Sequence, residues 1–457
     1  MKKLLVMIGS AAVALGASAA TVTIDGVTWT YTASGSNATL GGGTTSSPAM
    51  PTSTAIDASL IPWTFTVDDT TYTVTAIAAY AFKNCKALTG TLTIPDSVTA
   101  IGGHAFENCE GLTGTLTIPA GVTVFEDLIF NCCYNLTGFS YSGTVTSIGN
   151  RVFKPNSKMV GVYPDMSAVT SLGEEAFSGV PFTGDFPSLD SLTTIPRYGF
   201  SGCNFTSATI PAHITVVGAN SNYGVFETCT NMQAILVKGR ESDSSKTTVY
   251  CGKFAASCPK LELVVMGANT SGSRTTQTGS NAMLYGDSNV DVLLPANGYW
   301  DSLVLGGNSS NQKWYYGPGK EFDLAIDDTV ATATFTPVTE NALTNALVWA
   351  AKFKEHFGLD TVISITNTIE TSAAAVEIME DALEGITLNA PSWYLTFQVK
   401  TQAQLNRVLA AVSGPIVADI TGATEEINVP AGRQVAVLVP GGAAFNYHKR
   451  GLIISFH

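Results

Sequence analysis

Charge is scarce in this chain. Asp, Glu, Lys and Arg together make up 13% of its 457 residues, about half the share usual in soluble domains. What charge there is leans acidic, with 36 carboxylates against 23 basic side chains and a formal net charge of -13. No Lys/Arg cluster occurs beyond the first few residues. That excludes the phosphate-neutralising stripe a nucleic-acid binder needs, and it opposes binding to an anionic membrane surface. After residue 20 there is no apolar run long enough for a helix to span a bilayer, which takes about 18 residues or more. The polar surface is built from Thr, Ser, Asn and Gly instead, as in many extracellular β-rich proteins.

Recognisable catalytic chemistry is equally thin. The five His are His104, His213, His356, His448 and His457, and no paired or zinc-protease spacing links them. His104 and His213 read as surface positions. His356 falls near the end of an expected helix, where a charge–dipole role suits it. There is no Gly-x-Ser-x-Gly elbow and no phosphate-cradling loop; Gly441-Gly442 after Pro440 reads as a turn before a strand. Glu174-Glu175 and Asp327-Asp328 read as solvated surface, and neither Asp68-Asp69 nor Asp287 and Asp291 sit in the EF-hand pattern. The expectation is therefore of a protein that is not an enzyme, with no cofactor and no metal.

Against these absences stands strong periodicity. The first twenty residues are a targeting segment: Lys2 and Lys3, an apolar stretch from Leu4 to Leu15, then Ala17-Ser18-Ala19. That order fits a signal peptide for export from a bacterium, cleaved near Ala20 or Thr21. Further on, Leu88-Thr-Gly-Thr-Leu92-Thr-Ile94-Pro95 recurs as Leu112-Thr-Gly-Thr-Leu116-Thr-Ile118-Pro119. A Val-Thr-x-Ile tetrad precedes a Phe in cycle after cycle. The anchors are Phe82, Phe106, Phe130, Phe153, Phe177, Phe200, Phe226 and Phe254, at spacings of 24, 24, 23, 24, 23, 26 and 28. A period of about 20 to 29 with recurring aliphatic positions is that of leucine-rich repeats.

Each cycle has a physical reading. Val-Thr-x-Ile alternates apolar and polar residues and suits a short strand with one face inward. Ala-Phe with its following turn suits a short helical or 3₁₀ segment whose ring plugs the coil. Leu-x-x-x-Leu-x-Ile-Pro is a second extended stretch, closed at a corner by Pro95, Pro119 or Pro211. One coil cannot bury its own Phe and aliphatics, but stacked coils cover one another. About eight coils at the strand spacing give a solenoid of ~40 Å.

The unit Val-Thr-x-Ile-Gly-x-x-Ala-Phe-x-x-Cys-x-x-Leu, as in Val98 to Leu112, resembles the BspA-like leucine-rich repeat of bacterial surface and secreted proteins. The resemblance covers residues 73–267, with an echo of a closing repeat from Leu293 to Trp300. It implies a surface or secreted location and a role in adhesion or macromolecular binding, while leaving the partner open. The repeats at Phe153 and Phe177 depart from the pattern in lacking the Cys.

All eight Cys fall within the repeats. Cys85, Cys109, Cys132 or Cys133, Cys203 and Cys229 sit two or three places after an anchor Phe, so a packing role as buried thiols is expected. Stacked equivalents have parallel Cβ vectors, poor for a disulfide. Of the vicinal pair Cys132-Cys133, one is expected to point away from the core. Cys251 and Cys258, six residues apart in the chain between them, are a candidate disulfide.

The rest of the chain divides around the repeats. Residues 21–72 read as an N-terminal β cap, with hairpins turning at Asp25-Gly26 and Asp68-Asp69. Residues 268–320 read as irregular closing repeats and linker, with loops at 267–280 and 306–320. Residues 321–457 read as a separate C-terminal α/β or α+β domain. Helices are expected at 340–357, 372–384 and 402–413, ended by Gly358, Gly385 and Gly414, the third opened by the capping box Thr401 to Gln404. Strands are expected at 361–367, 393–400, 416–421, 434–439 and 451–456. The function expected is binding of an extracellular protein or glycan. Alternatives are a structural component that self-associates or anchors through the C-terminal domain, and a glycan-acting enzyme there. Trp300, Trp314, Tyr315 and Tyr316 suit either sugar stacking or packing.

Overall fold

The computed structural model describes residues 19–218 without a break, 224–267 apart from 240–246 and 251, and shorter segments from there to 454. Residues 1–18, most of the segment expected to be a signal peptide, lie outside the described residues. Alternation then asserts itself immediately. Ala20–Ile24 pairs antiparallel with Val27–Ser34, and Thr64–Val67 with Thr70–Ile77. Asp25 and Gly26 turn the first hairpin at φ 49 and 78°, Asp68 and Asp69 the second at 47 and 62°. Left-handed φ at both turn residues matches the right-handed twist of the strands they join. Asn37–Leu40 joins the two hairpins into one sheet, running parallel to Thr70–Ile77. Its inner face carries Trp29, Tyr31 and Phe65, all buried. Trp29 lies edge-on to Phe82 at 6.4 Å and so covers the first anchor ring.

Each coil then passes through two short parallel strands. The Val-Thr-x-Ile tetrads form one side: Thr70–Ile77 with Ala100–Ile101; Val124–Phe125, Ser147–Ile148 and Ser171–Leu172; Thr194–Ile195, Val216–Val217, Thr247–Val249 and Thr270–Gly272. The Leu-x-x-x-Leu stretches form the second side: Ile56–Asp57, Leu88–Thr93, Leu112–Ile118 and Leu136–Tyr141. Bridges Gly138–Val160 and Val162–Thr183 carry it across the middle coils. It resumes as Ser207–Ile210, Ala234–Val237, Leu263–Met266, Asp291–Leu294 and Lys313–Tyr316. The second side thus runs past residue 267, and the expected loop at 306–320 contains a paired strand.

The third side departs from expectation. In place of a helical segment at Ala-Phe the chain makes tight turns. Tyr80, His104, Leu128, Arg151, Glu175 and Tyr198, each two residues before an anchor, take φ between 52 and 62°. Asn84, Asn108, Cys132 and Thr228, two residues after, do the same at 59 to 63°. The reason is where the amides go. Phe82 N–H donates to Ala105 O at 2.7 Å, Phe106 N–H to Ile129 O at 2.9 Å and Phe130 N–H to Val152 O at 3.0 Å. A helix would keep those donors within the coil; turned outward, they join it to the next one.

The anchor rings form the axis of the core. Phe82 and Phe106 stack at 5.0 Å and 2°. The column continues through Phe130, Phe153, Phe177, Phe200 and Phe226 at 5.4 to 6.3 Å, within 15° of parallel at each step. Phe254 ends it by turning edge-on at 86°. Such ring pairs add about 0.5–1.5 kcal/mol each beyond their buried area.

Toward the C-terminus, Glu340–Phe357 is a helix (α1), as expected. Gly358, at φ 68°, stops it: its N–H bonds Lys354 O at 3.1 Å, the 5→1 bond of an αL ending with glycine just past the helix, and Leu359 N–H reaches back to Phe353 O at 3.2 Å. A second helix, Gln402–Ala411 (α2), opens on the Thr401–Gln404 capping box. Strands Thr396–Gln398, Ile416–Asp419, Val435–Leu438 and Leu452–Ile454 fall within the expected strand regions, and Asp360–Ile365 overlaps the one expected at 361–367. The expected helix at 372–384 is corrected where the structure describes it. Val376–Glu377 is a strand parallel to Thr396–Gln398, so pairing overrides local helix preference. Sequence reading also missed strands Asp323–Ile326, Val330–Phe335, Ile386–Asn389, Ile427–Val429 and Ala444–Tyr447.

Candidate binding surfaces

Repeat positions fix what is inside. Phe82, Phe106, Phe130, Phe153, Phe177, Phe200, Phe226 and Phe254 are all fully buried. Behind them runs a ladder of thiols. Cys109 Sγ–H donates to Phe82 O at 3.1 Å, Cys133 to Phe106 O at 3.2 Å, Cys203 to Phe177 O at 3.5 Å, Cys229 to Phe200 O at 3.1 Å and Cys258 to Phe226 O at 3.1 Å. In the Phe153 repeat Asn156 takes the Cys position, and its amide donates to Phe130 O at 2.9 Å. In the Phe177 repeat the position is the buried Val180. Burial pushes Cys85, Cys133 and Cys203 up to about 12, so these thiols stay protonated and inert. Cys132 is half-buried beside the buried Cys133, as the vicinal pair suggests. Cys258 is a free thiol in this ladder; Cys251, its candidate disulfide partner, lies outside the described residues.

The turn side is charged and largely self-satisfied. Glu175 is buried, correcting the solvated reading: Arg151 Nε and Nη2 bind it at 3.0 and 3.1 Å, and Lys154 bonds it too. Burial pushes its carboxyl up, and these two partners more than offset that, holding it below its ordinary value. Glu174 pairs with Arg197 at 2.7 Å. His104 stacks on Tyr80 at 4.7 Å and bonds Glu107 at 2.6 Å. Asp287 is buried rather than poised for a surface cation. Among the described residues no group of three or more His, Cys, Asp or Glu is placed to hold a metal, and no helix is long and apolar enough to cross a membrane.

The second strand side offers the open surface. Its outward residues begin as Thr89, Thr91, Thr93, Thr113, Thr115, Thr117, Thr137 and Ser140, all exposed. The inward Leu88, Leu92, Leu112, Leu116 and Leu136 are buried. In the middle coils the outward positions turn apolar: Val160 is 55% and Val162 65% exposed. Beyond them the alternation disappears. Ala234–Val237 and Leu263–Met266 are buried at every residue, because α1 packs on that stretch. Trp349 Nε1–H donates to Asp291 at 3.3 Å, and Glu262 receives both Lys352 at 3.1 Å and His356 at 2.7 Å. His356 therefore spends its Nε2 on the solenoid, not on the dipole of its own helix. The runs Ala234-Ile-Leu-Val237 and Leu263-Val-Val-Met266 were the available signal for this covering, since a strand buried on both faces reads as continuously apolar.

A cleft of about 310 Å³ opens where the last turn of α1 overhangs the solenoid. Its lining comes from three stretches of the chain: Asp185 to Leu189, then Ser207, Thr209 and Pro211, and His356 and Phe357 of α1. None of these was singled out from the sequence as a ligand-binding residue. Trp314, Tyr315 and Tyr316, which were considered for sugar stacking, lie on a paired strand, and Trp300 is outside the described residues. His448, His457 and Asp327-Asp328 are outside them as well.

No curated protein matches the chain. Among solved structures it is similar to a leucine rich cell surface protein from Faecalibacterium prausnitzii A2-165, at 18% identity over 66% of this chain and 96% of that one, TM-score 0.40. A leucine-rich repeat protein from Bacteroides ovatus ATCC 8483 matches at 16% identity over 67% and 99%, TM-score 0.30. The pneumococcal vaccine antigen PcpA matches at 13% over 86% and 96%, TM-score 0.32. A sequence model of the BspA type leucine rich repeat region matches six copies, over residues 66–182 and 162–271. Those ranges contain every anchor from Phe82 to Phe254, and residues 66–271 of this chain are accordingly a BspA-type leucine-rich repeat region.

Proposed function

We propose that this protein is exported to the exterior of a bacterial cell, where the open strand side of its solenoid binds an extracellular protein or glycan without catalysis. The N-terminal sheet acts as a cap on the repeat stack, and residues 321–457 form a separate domain that docks on the solenoid through α1. The observation that carries the reading is the apolar pair Val160 and Val162. Aliphatic side chains of this kind are buried almost everywhere else in the described repeats. On a surface otherwise made of threonines, an exposed apolar patch marks a contact site. Flanking hydroxyls from Thr117, Ser140 and Thr183 supply polar rim positions around it.

The test is a capture screen of host extracellular proteins and a glycan array probed with the exported chain, beside the double variant Val160→Asp, Val162→Asp. Both positions are exposed, so the variant is expected to fold normally. Loss of the captured partner by at least ~10-fold supports the reading. A partner retained unchanged by the variant overturns the assignment of the contact to this face.

A further inference from the structure

The cleft under α1 has the chemistry of a sugar site, and it owes nothing to the valine face. We propose that it binds the neutral terminal residues of a glycan. Three features of the geometry lead there. The first is the pair of half-buried rings that line it, Phe186 from the solenoid and Phe357 from the end of α1. Phe186 is held from behind by Phe200 at 5.0 Å, Phe205 at 5.1 Å and Phe226 at 5.9 Å. A ring fixed on one side by three buried rings presents its other side without having to be ordered on binding. Sugar rings expose a face of C–H groups that packs on such a platform.

The second feature is the polar lining. Asp185, Ser188, Ser207 and Thr209 all line the cleft, and the side chain of none of them hydrogen-bonds another described residue. They offer short, unbranched-off donors and acceptors, the set that reads the hydroxyl edge of a pyranose. His356 adds a fixed group. Its side chain lines the cleft, is only 4% exposed and is held in place by the Nε2 bond to Glu262.

The third feature is charge. The lining holds one carboxylate, Asp185, and no Lys or Arg, while Lys352 nearby is engaged by Glu262. A phosphate, sulfate or sialic acid would meet repulsion with no cation to pair with, whereas a neutral hydroxyl donates readily to Asp185. The volume of about 310 Å³ lies at the small end of ligand sites, room for about one or two sugar rings.

The experiment is an array of neutral, sialylated and sulfated glycans probed with the full exported chain, followed by calorimetric titration of the best neutral oligosaccharide. Variants Asp185→Asn, Phe357→Ala and the control Val162→Asp are compared after thermal melts establish that each is folded. The expected result is binding of neutral glycans only, weakened ~10-fold or more by Phe357→Ala and ~5-fold by Asp185→Asn, and unaffected by Val162→Asp. Asp185 is exposed, so its variant tests the site even if Phe357→Ala disturbs α1. The proposal is overturned by absence of neutral-glycan binding, by preference for acidic glycans, or by binding indifferent to both cleft variants. Binding abolished by Val162→Asp alone would overturn it too, while leaving the valine-face reading intact.

Discussion

At the scale of single residues, one carbonyl decides what the interior of each coil tolerates. The carbonyl of an anchor Phe accepts from its own coil's amide and then from the next coil's side chain, as Phe82 O does from Cys85 N–H at 3.0 Å and Cys109 Sγ–H at 3.1 Å. Cys fills the position because it is small, apolar and still a donor. Asn156 is the exception that shows the rule, since it keeps the donor and changes everything else. Asn156→Cys is expected to stay within about 1 kcal/mol of the parent, whereas Asn156→Ala loses the bond and leaves a void, costing roughly 2–3 kcal/mol. Urea denaturation separates the two. Glu175 gives a pH-dependent counterpart. Its carboxyl is held below its ordinary value in the fold, so its contribution is complete above about pH 4.3 and is lost as pH falls through the folded value. Arg151 is about half exposed, which limits the pair to about 1 kcal/mol. Glu175→Gln should lower the melting temperature at pH 7 and match the parent near pH 3. A difference that persists at pH 3 would mean packing, not charge, is what the residue supplies.

At the scale of the element, the Val-Thr-x-Ile-Gly corner shows why a motif residue is what it is. A Cβ on Gly173 would run into the backbone of Gly149, and one on Gly149 into that of Asp127. Neighbouring coils approach here backbone to backbone, as parallel strands at about 4.8 Å require. Gly173→Ala is expected to cost roughly 1–3 kcal/mol through forced displacement of the coil. Gly422→Ala, where a Cβ meets nothing within 4 Å, should be close to neutral; similar losses at both sites would refute the steric account. The same scale explains the expectation that failed at the Ala-Phe turns. Local sequence there is compatible with a helical turn, but the amides are worth more bonded to the next coil, and that choice depends on a neighbour no single repeat contains.

At the scale of the whole molecule, the column of rings must be closed at both ends, because an uncovered repeat exposes its core. Trp29 covers Phe82 at one end. Trp29→Ala is expected to cost about 3–5 kcal/mol and to lower the melting transition of the repeats as a unit. A change confined to the N-terminal sheet would show that the sheet is not coupled to the stack. The solenoid was legible because interior positions must recur once per coil: the Phe anchors, the thiols and the corner glycines each announce their place by spacing alone. Capping boxes and hairpin turns were legible for a similar reason, as Thr401 to Gln404 and Asp68-Asp69 satisfy their own backbone locally. The candidate sites were not legible. Val160 and Val162 look like core residues in sequence, and Phe186, Ser207 and Phe357 share no pattern, being up to 171 residues apart. By itself, then, the sequence determined the period, the buried column and the type of repeat. Only the tertiary structure decided which strand face stays open and which lies under α1, because that depends on where a distant helix docks and not on any repeat's own residues.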